Sequence, residues 1–248
     1  MASAELCVSD GWREALSAGG LGTFDAMMRP EPGECVSWHS RGQAYRVVLP
    51  GGEVVFLKRD AFTKLKDVLS DACRLRRPEP ACIHELRALR RVAALGVRVP
   101  EVIAWGQRRR AGLPWRAVLV TRLLPGVALD ELVKASEAGE DRRAALRLAG
   151  AAARKLYEAG LSWPDLLPKH FLLAGGEVGV LDLARMRRTR RAMKRFLPRQ
   201  VGRFCAKLRA RGADGGDVAA LLEGLGRADI LDGAARGAGR ERRHAGGP

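Results

Sequence analysis

The sequence predicts a two-lobed α+β fold, with a small β-rich N-terminal lobe and a mainly helical C-terminal lobe. Three observations support this prediction. β-rich runs fill the first half of the chain, helical patterns dominate the second half, and one short hairpin pattern interrupts those helices. Strands and helices are therefore segregated along the chain rather than alternating, as they would in a βαβ sheet. A chain of 248 residues is long enough to form two small lobes around hydrophobic cores.

The β-rich lobe is expected over residues 36–124, after an N-terminal extension, residues 1–35, with little regular structure. The runs QAYRVVL and EVVFLKR are typical of a hairpin, because both are rich in β-formers and Pro50-Gly51-Gly52 joins them. The stretch from Pro78 to Gly96 predicts a helix, since its apolar residues recur at three-to-four spacing. VRVPEVIAWG and RAVLVTRLL predict two further strands, separated by a basic turn at Arg108-Arg109-Arg110.

The helical lobe is expected over residues 125–231. Residues 140–159 predict a long helix, and the runs HFLL and VGVLDL then predict a second hairpin around AGGE. After that hairpin the pattern is helical to about Arg211, and a further helix is expected near residues 217–225. The tail, residues 232–248, is rich in Gly, Arg and Ala and has the composition of a disordered segment.

The net charge of +16 is the most unusual bulk property of the chain. Such a surplus favours anionic partners, namely nucleic acid, phospholipid head groups or phosphorylated substrates. Five scattered cysteines without a C-x-x-C pair indicate neither a disulfide framework nor a zinc site, so a reducing, cytoplasmic setting is expected. The sequence shows no signal-peptide pattern and no apolar run of the about 18–20 residues that a membrane span needs. Membrane contact is therefore expected only at the surface.

Lys58 and Glu85 are the first two candidate site residues. Lys58 lies near the end of a predicted strand, and Glu85 borders the apolar stripe of the following predicted helix. A carboxylate at that position could face the sheet and neutralise the lysine. Considered singly, each residue has an ordinary alternative, because Lys58 could reach into solvent and Glu85 could be a solvated helix charge.

Asp165, His170 and Asp182 lie in and beside the second predicted hairpin. Asp182 falls within the apolar run 178–183, interpreted as a strand, where an unpaired buried carboxylate would be costly. A metal ion or a dedicated hydrogen-bond network usually accommodates such a charge. Asp165 lies in a proline-bounded loop, where it could simply form a turn. His170 begins the strand expected to pair with that of Asp182, and alone it would be interpreted as a core histidine.

Together, a strand lysine, a helix glutamate, a loop aspartate and a hairpin aspartate occur in the order used by protein-kinase-like phosphotransferases. DLLPKHFLL followed by VLDLAR resembles the lipopolysaccharide kinases that phosphorylate Kdo or heptose sugars of the inner core. YRVVLPGGEVVFLKR resembles their nucleotide-lobe hairpin. The resemblance covers about residues 36–195. It implies a protein-kinase-like fold and transfer of phosphate from ATP, with Mg²⁺, to a glycolipid sugar hydroxyl at the cytoplasmic membrane face.

The resemblance implies a nucleotide site in the first lobe. Lys58 would contact the nucleotide phosphates and Glu85 would hold the lysine. Thr121 to Leu123 would supply the adenine-side hinge, and Gly42 would lie in the phosphate loop. Only Gly42 is present there, so the chain departs from the G-x-G-x-x-G pattern of many kinases.

In the second lobe the resemblance implies that Asp165 is the catalytic base and that Asp182 binds Mg²⁺. His170 would fill the position where most kinases place a metal-binding asparagine. The chain has Trp163-Pro164-Asp165 where kinases often have His-Arg-Asp, and Asp182-Leu183-Ala184 where they have Asp-Phe-Gly. An enzyme of reduced or lost activity is the alternative that these departures leave open.

The segment from Arg185 to Arg199 carries eight Lys and Arg residues and no acid. Its arginines are either solvated around a packed apolar stripe or dock on anionic lipid or phosphorylated sugar. Alternatives to the lipopolysaccharide kinase are a kinase of another small molecule or of protein, and a non-catalytic binder of nucleic acid or anionic membrane. An aromatic content of 5% without a stacking platform disfavours nucleic acid. The sequence does not predict the oligomeric state.

Overall fold

The computed structural model describes residues 4–29, 32–38, 42–61, 79–110, 113–190, 192 and 197–227. These residues divide into two compact units. The first takes in the described residues of Met1–Arg91, Val99–Leu124 and Leu183–Arg185. The second takes in those of Val92–Arg98, Pro125–Asp182 and Met186–Pro248. The tail expected over residues 232–248 lies outside the described residues.

The first unit is built on a six-stranded antiparallel sheet with the strand order β1-β5-β6-β4-β3-β2. Its strands are β1 (Ala4–Val8), β2 (Glu34–Trp38), β3 (Gly42–Val48), β4 (Val54–Asp60), β5 (Val102–Arg110) and β6 (Leu113–Arg122). The β3–β4 hairpin confirms the first predicted pair, and its turn places Gly52 at a φ of +87°. The basic turn expected at Arg108-Arg109-Arg110 is wrong, because β5 continues through these residues and pairs with β6, with a register shift between Arg108 and Arg109.

The described residues within the first 35, residues 4–29 and 32–35, form strands and helices, contrary to the extension with little regular structure expected from the sequence. β1 pairs with β5 along its whole length, and β2 pairs with β3. Helices α1 (Arg13–Ala18) and α2 (Phe24–Met27) contribute Leu16 and Met27 to a buried cluster that also includes Val55 of β4. Helices of six and four residues are too short to display a helical repeat in the sequence, which is why they were missed.

Helix α3 (Ala81–Ala94) confirms the helix predicted after the first hairpin. Cys82, Leu86 and Leu89 are buried along one stripe, as their three-to-four spacing requires. The chain leaves the helix through Gly96, whose φ of +69° suits a glycine at a helix end. Pro78, which was expected to begin the helix, lies outside the described residues.

The second unit is mainly helical. Its helices are α4 (Leu129–Ala135), α5 (Glu140–Glu158), α6 (Leu197–Arg209) and α7 (Gly215–Leu225). A small antiparallel sheet, with the order β10-β9-β7, is formed by β7 (Val127–Ala128), β9 (Phe171–Ala174) and β10 (Glu177–Val180). The pair β9–β10 confirms the second predicted hairpin. No helix among the described residues is long and apolar enough to span a lipid bilayer.

The continuous helix expected from Met186 to Arg211 is wrong at its start. Strand β11 (Arg187–Arg188) pairs with β8 (Leu161–Ser162), so these two arginines are extended and exposed. The described part of the helix begins at Leu197. Residues 191 and 193–196 lie outside the described residues, so docking by the basic segment stays a prediction.

Candidate active site

Lys58 and Glu85 form an ion pair within the first unit, as their sequence pattern predicted. Lys58 Nζ lies 2.6 Å from Glu85 Oε1, and the two side chains are 30% and 6% exposed. The alternative of a solvated helix charge is therefore wrong for Glu85. Because a buried carboxylate without a counter-charge is strongly destabilising, the lysine is tied to helix α3 by electrostatics. Its half-buried ammonium group is a fixed positive charge of the kind that binds phosphate.

Gly42 lies in β3 directly opposite Asp60 of β4. A Cβ atom at Gly42 would come within 2.7 Å of the Arg59 carbonyl oxygen and 3.1 Å of Asp60 Oδ1. Close approach of the two strands is therefore sufficient to explain this glycine. Residues 39–41 lie outside the described residues, and the phosphate loop expected around Gly42 stays a prediction.

Thr121 and Leu123, the expected hinge, lie at the end of β6 and just beyond it. Thr121 is buried between Phe56 of β4 and Val102 of β5, whereas the Leu123 side chain is exposed. The Leu123 N–H donates to the Val54 carbonyl at 3.0 Å. Leu123 could therefore offer adenine its carbonyl oxygen or its side chain, and its contact with nucleotide stays a prediction.

Asp165 lies in the loop that follows β8 in the second unit, and several backbone contacts fix this loop. The His170 ring donates from Nδ1 to the Asp165 carbonyl oxygen at 2.7 Å. Arg203 of α6 donates to the carbonyl oxygen of Pro164. The Asp165 side chain itself is partly exposed. The loop therefore holds a partly exposed aspartate on a backbone that is fixed by two hydrogen bonds.

Asp182 differs from its sequence interpretation. Strand β10 ends at Val180, so Asp182 lies beyond the strand, and its side chain is 47% exposed rather than buried. Its φ of +60° is the only positive φ of a non-glycine residue in the described part of the chain. A left-handed aspartate costs of the order of 1 kcal/mol, and such residues cluster at functional sites. The expectation that Asp182 is a buried charge is therefore wrong. Its left-handed backbone conformation is instead the feature that distinguishes it.

His170 lies beside Asp182, with Nε2 at 3.4 Å from Asp182 Oδ2. Because Nδ1 faces a carbonyl oxygen, which can only accept, we assign the proton to Nδ1. In the neutral ring Nε2 then carries a lone pair. The Nε2 lone pair and the Asp182 carboxylate oxygen repel each other at this distance. A cation or a proton between the two atoms makes their approach favourable. His170 is therefore a buried, hydrogen-bonded histidine, as it would be interpreted alone, and it also lies beside the Asp182 carboxylate.

Trp163 is a site residue, although in the sequence it is only a departure from the His-Arg-Asp of many kinases. Its indole is fully buried, stacks with His170 at a centroid distance of 6.0 Å, and contacts Phe171 at 5.4 Å. Trp163 Nε1 donates to the Asp182 carbonyl oxygen at 3.2 Å. The residue thus supports both His170 and the left-handed aspartate. The sequence feature that could have identified Trp163 as a site residue is its position two residues before Asp165.

Tyr157 and Gln200 anchor this tryptophan in turn. The Trp163 N–H donates to the Tyr157 hydroxyl oxygen at 3.3 Å, and that hydroxyl donates to Gln200 Oε1. Burial raises the pKa of Tyr157 above its ordinary value, so the hydroxyl keeps its proton. Helices α5 and α6 therefore hold the loop that carries Asp165 through one continuous chain of hydrogen bonds.

The described residues fit a magnesium ion that is shared with a phosphorylated substrate rather than one enclosed by protein. No group of three or more His, Cys, Asp or Glu side chains in the described ranges could hold a metal ion. Mg²⁺ commonly binds one or two carboxylates and completes its shell with phosphate and water. The half-exposed carboxylate of Asp182 suits that role. His170 offers nitrogen, which Mg²⁺ prefers less, so Asp182 is the stronger candidate ligand.

The chain is similar to a known family in sequence and to a solved structure in fold. The sequence matches the lipopolysaccharide kinase (Kdo/WaaP) family over residues 35–223, which is more than half of the chain. Among solved structures, the chain is similar to "WaaP in complex with acyl carrier protein", with a TM-score of 0.68 and 20% identity. The match covers 96% of this chain and 97% of that chain, and it confirms the predicted two-lobed, protein-kinase-like fold. No curated protein matches the sequence.

Proposed function

The chain belongs to the lipopolysaccharide kinase (Kdo/WaaP) family, and on that premise we propose that it phosphorylates a sugar hydroxyl of the lipopolysaccharide inner core. Family membership makes the protein a kinase and therefore a phosphotransferase that uses ATP. The finer parts of the proposal are the acceptor, a Kdo or heptose sugar, the use of Mg²⁺, and the residue roles below.

We assign nucleotide binding in the first unit to Lys58. The support is its 2.6 Å contact with the buried Glu85, which fixes the position of the ammonium group before any ligand arrives. Phosphoryl transfer depends mainly on positioning and charge neutralisation, so a preorganised cation is more useful than a mobile one. Thr121 to Leu123 and Gly42 are proposed to contribute the adenine and phosphate contacts.

We assign the chemical step in the second unit to Asp165 and Asp182. Asp165 would accept the proton of the attacking sugar hydroxyl, because its carboxylate is partly exposed on a fixed loop. Asp182, with His170 beside it, would hold the Mg²⁺ that neutralises charge on the nucleotide phosphates. The single observation that supports this assignment best is the left-handed φ of Asp182 together with the Trp163 hydrogen bond to its carbonyl.

Nucleotide binding is tested by the thermal unfolding of the full chain with and without Mg·ATP. At about 100 times its Kd, Mg·ATP should raise the Tm by about 5 °C or more. Lys58→Ala and Asp182→Asn should lose most of this shift. Lys134→Ala and Asp141→Asn are the matched controls, because both residues are exposed on helices, and they should keep it. A parent protein without any shift would contradict the proposed nucleotide site.

Catalysis is tested with the same proteins and two acceptors. Inner-core lipids that end in Kdo, or in Kdo extended by heptose, are incubated with labelled ATP, and the phosphorylated sugar is identified by mass spectrometry. Asp165→Asn should keep the Mg·ATP thermal shift but transfer phosphate at least about 100-fold more slowly. Full transfer by this variant would contradict the base assignment. Transfer only to a protein or a different small molecule would contradict the proposed acceptor.

Two partners are part of the proposal. The similar solved structure is a complex with acyl carrier protein, so we propose an acyl carrier protein as a partner of this chain, tested by co-expression and gel filtration. The net charge of +16 supports peripheral binding to an anionic membrane surface on the cytoplasmic side. Sedimentation with vesicles of anionic and of neutral lipid tests this, and equal binding to both would contradict it.

A further inference from the structure

Strand β4 and helix α3 are joined at a second point besides the Lys58–Glu85 ion pair. Asp60 Oδ2 accepts a hydrogen bond from the backbone N–H of Cys82 at 2.8 Å. Asp60 is 6% exposed, so this contact is shielded from water. None of the roles proposed above uses Asp60.

The start of helix α3 needs an acceptor from elsewhere in the fold. The N–H groups of a first helical turn have no partner within the helix, and a side-chain oxygen just before the helix commonly supplies one. Here the residue before α3 is Pro80, whose carbonyl accepts from Ile83 and His84 but whose side chain has no oxygen. Asp60 supplies the missing acceptor from the strand. It also places a negative charge at the positive end of the helix dipole.

The Lys58–Glu85 and Asp60–Cys82 contacts lie close together on both the strand and the helix. Lys58 and Asp60 are two residues apart on β4 and therefore point to the same face of the strand. Cys82 and Glu85 are three residues apart on α3 and therefore lie on the same face of the helix. Asp60 thus binds the backbone of the first turn of α3 while Lys58 binds the Glu85 side chain about one turn later, and a shift of the first turn would move Glu85 with it.

We propose that Asp60 is a positioning residue of the kinase, which fixes the first turn of α3 and thereby holds Glu85 against Lys58. This inference rests on the proposed function, because it assigns Lys58 to the nucleotide phosphates. Gly42 is consistent with it, since Asp60 Oδ1 would lie 3.1 Å from a Cβ atom at that position. The glycine leaves room for the Asp60 carboxylate between strand and helix.

The test compares Asp60→Ala, which removes the acceptor, with Asp60→Asn, which keeps an oxygen that can still accept. Amide hydrogen exchange of the full chain should show Cys82 exchanging about tenfold faster in Asp60→Ala, the size expected for loss of one helix cap. The Asp60→Asn variant should remain close to the parent. Unchanged exchange at Cys82 in Asp60→Ala would overturn the proposal.

The second measurement asks whether Asp60 acts through Glu85. Titration calorimetry should give an affinity for Mg·ATP about tenfold weaker in Asp60→Ala and also weaker in Glu85→Gln. In the double variant the two losses should not add, because the same ion pair is lost in both. Full additivity would overturn the proposal, and so would an unchanged affinity in Asp60→Ala.

Asp214→Ala is the matched control. Asp214 caps α7 by accepting from the Asp217 N–H at 2.8 Å, so its loss is chemically equivalent but lies in the second unit. It should speed exchange only at the start of α7 and leave Mg·ATP affinity unchanged. If the parent does not bind Mg·ATP, the proposed function fails by itself. The exchange data and the same double-variant cycle in urea unfolding then decide whether Asp60 positions Glu85.

Discussion

Trp163 Nε1 donates a hydrogen bond to the backbone carbonyl of Asp182, 19 residues further along the chain. The same indole stacks on His170, whose Nε2 lies beside the Asp182 carboxylate. The left-handed aspartate is therefore held at its carbonyl by one aromatic residue and faced at its side chain by another. A carboxylate fixed in this way keeps its direction before substrate binds, which is what catalysis by positioning requires.

Trp163→Phe should lower both the rate of phosphate transfer and the stability of the protein. Phenylalanine keeps an aromatic ring against His170 and Phe171 but lacks the donor to the Asp182 carbonyl. We expect kcat to fall by about tenfold or more, with a loss of about 1–3 kcal/mol in the free energy of unfolding. Steady-state kinetics and urea unfolding measure the two effects.

Trp105→Phe is the control for this change, because Trp105 lies in β5 of the first unit, whereas Trp163 and Asp182 belong to the second. It should leave kcat near the parent value. A parent-like kcat in Trp163→Phe would show that the hydrogen bond does not position Asp182.

Gly150→Ala should destabilise the second unit, because helices α5 and α7 approach too closely for a side chain. A Cβ atom at Gly150 would collide with the Leu221 carbonyl oxygen and approach the Leu225 nitrogen to 2.8 Å. Both obstacles are backbone atoms, so they cannot rotate away. Since the helices must separate, we expect a loss of about 1–3 kcal/mol in the free energy of unfolding, measured by urea denaturation.

Gly202→Ala is the opposite case on α6. Among the described residues, no atom beyond the chain neighbours and the surrounding helix backbone lies within 4 Å of a Cβ atom built at Gly202, and the residue lies inside the helix. Alanine should therefore stabilise the protein by up to about 1 kcal/mol through helix propensity. Equal effects at Gly150 and Gly202 would contradict the close helix contact.

Arg142→Leu should be among the most destabilising single changes in the second unit. Arg142 donates from Nε to Asp217 Oδ1 at 3.1 Å, and both side chains are almost completely buried. Removing the arginine leaves the Asp217 carboxylate buried without its counter-charge, which costs about 3–5 kcal/mol. Urea unfolding should therefore show a smaller loss for the double variant Arg142→Leu with Asp217→Asn, since asparagine carries no charge. A larger loss in the double variant would contradict the electrostatic explanation.

The sequence predicted those parts of the site that depend on local pattern. The contact of Lys58 with Glu85 followed from a strand end and a helix stripe, and both contacts of β4 with α3 involve regular elements. Asp182 was identified for the wrong reason, because an apolar run suggested burial while the chain leaves the strand two residues earlier. The hydrogen bond from Trp163 to Asp182 joins residues 19 apart in the sequence, and the bond from Cys82 to Asp60 joins residues 22 apart. No periodic pattern in the sequence predicts tertiary contacts of this kind.

The capping aspartate of α7 makes stability depend on pH in a defined direction. Asp214 accepts from the Asp217 N–H, and this hydrogen bond, with the nearby charges of Arg143 and Arg142, lowers the pKa of Asp214 below its ordinary value of 3.8. A carboxylate whose folded pKa is depressed stabilises the folded state above its unfolded pKa, and that contribution disappears as the pH falls through the folded pKa.

In Asp214→Asn the cap can persist but the charge is absent. We therefore expect the parent to be more stable than Asp214→Asn at pH about 7, and the difference to shrink as the pH falls below about 4. Urea unfolding across this range measures the difference, with Asp10→Asn, an exposed aspartate before α1, as the control for removing one charge. A gap between parent and Asp214→Asn that widens on acidification would show that the carboxylate does not stabilise the helix start.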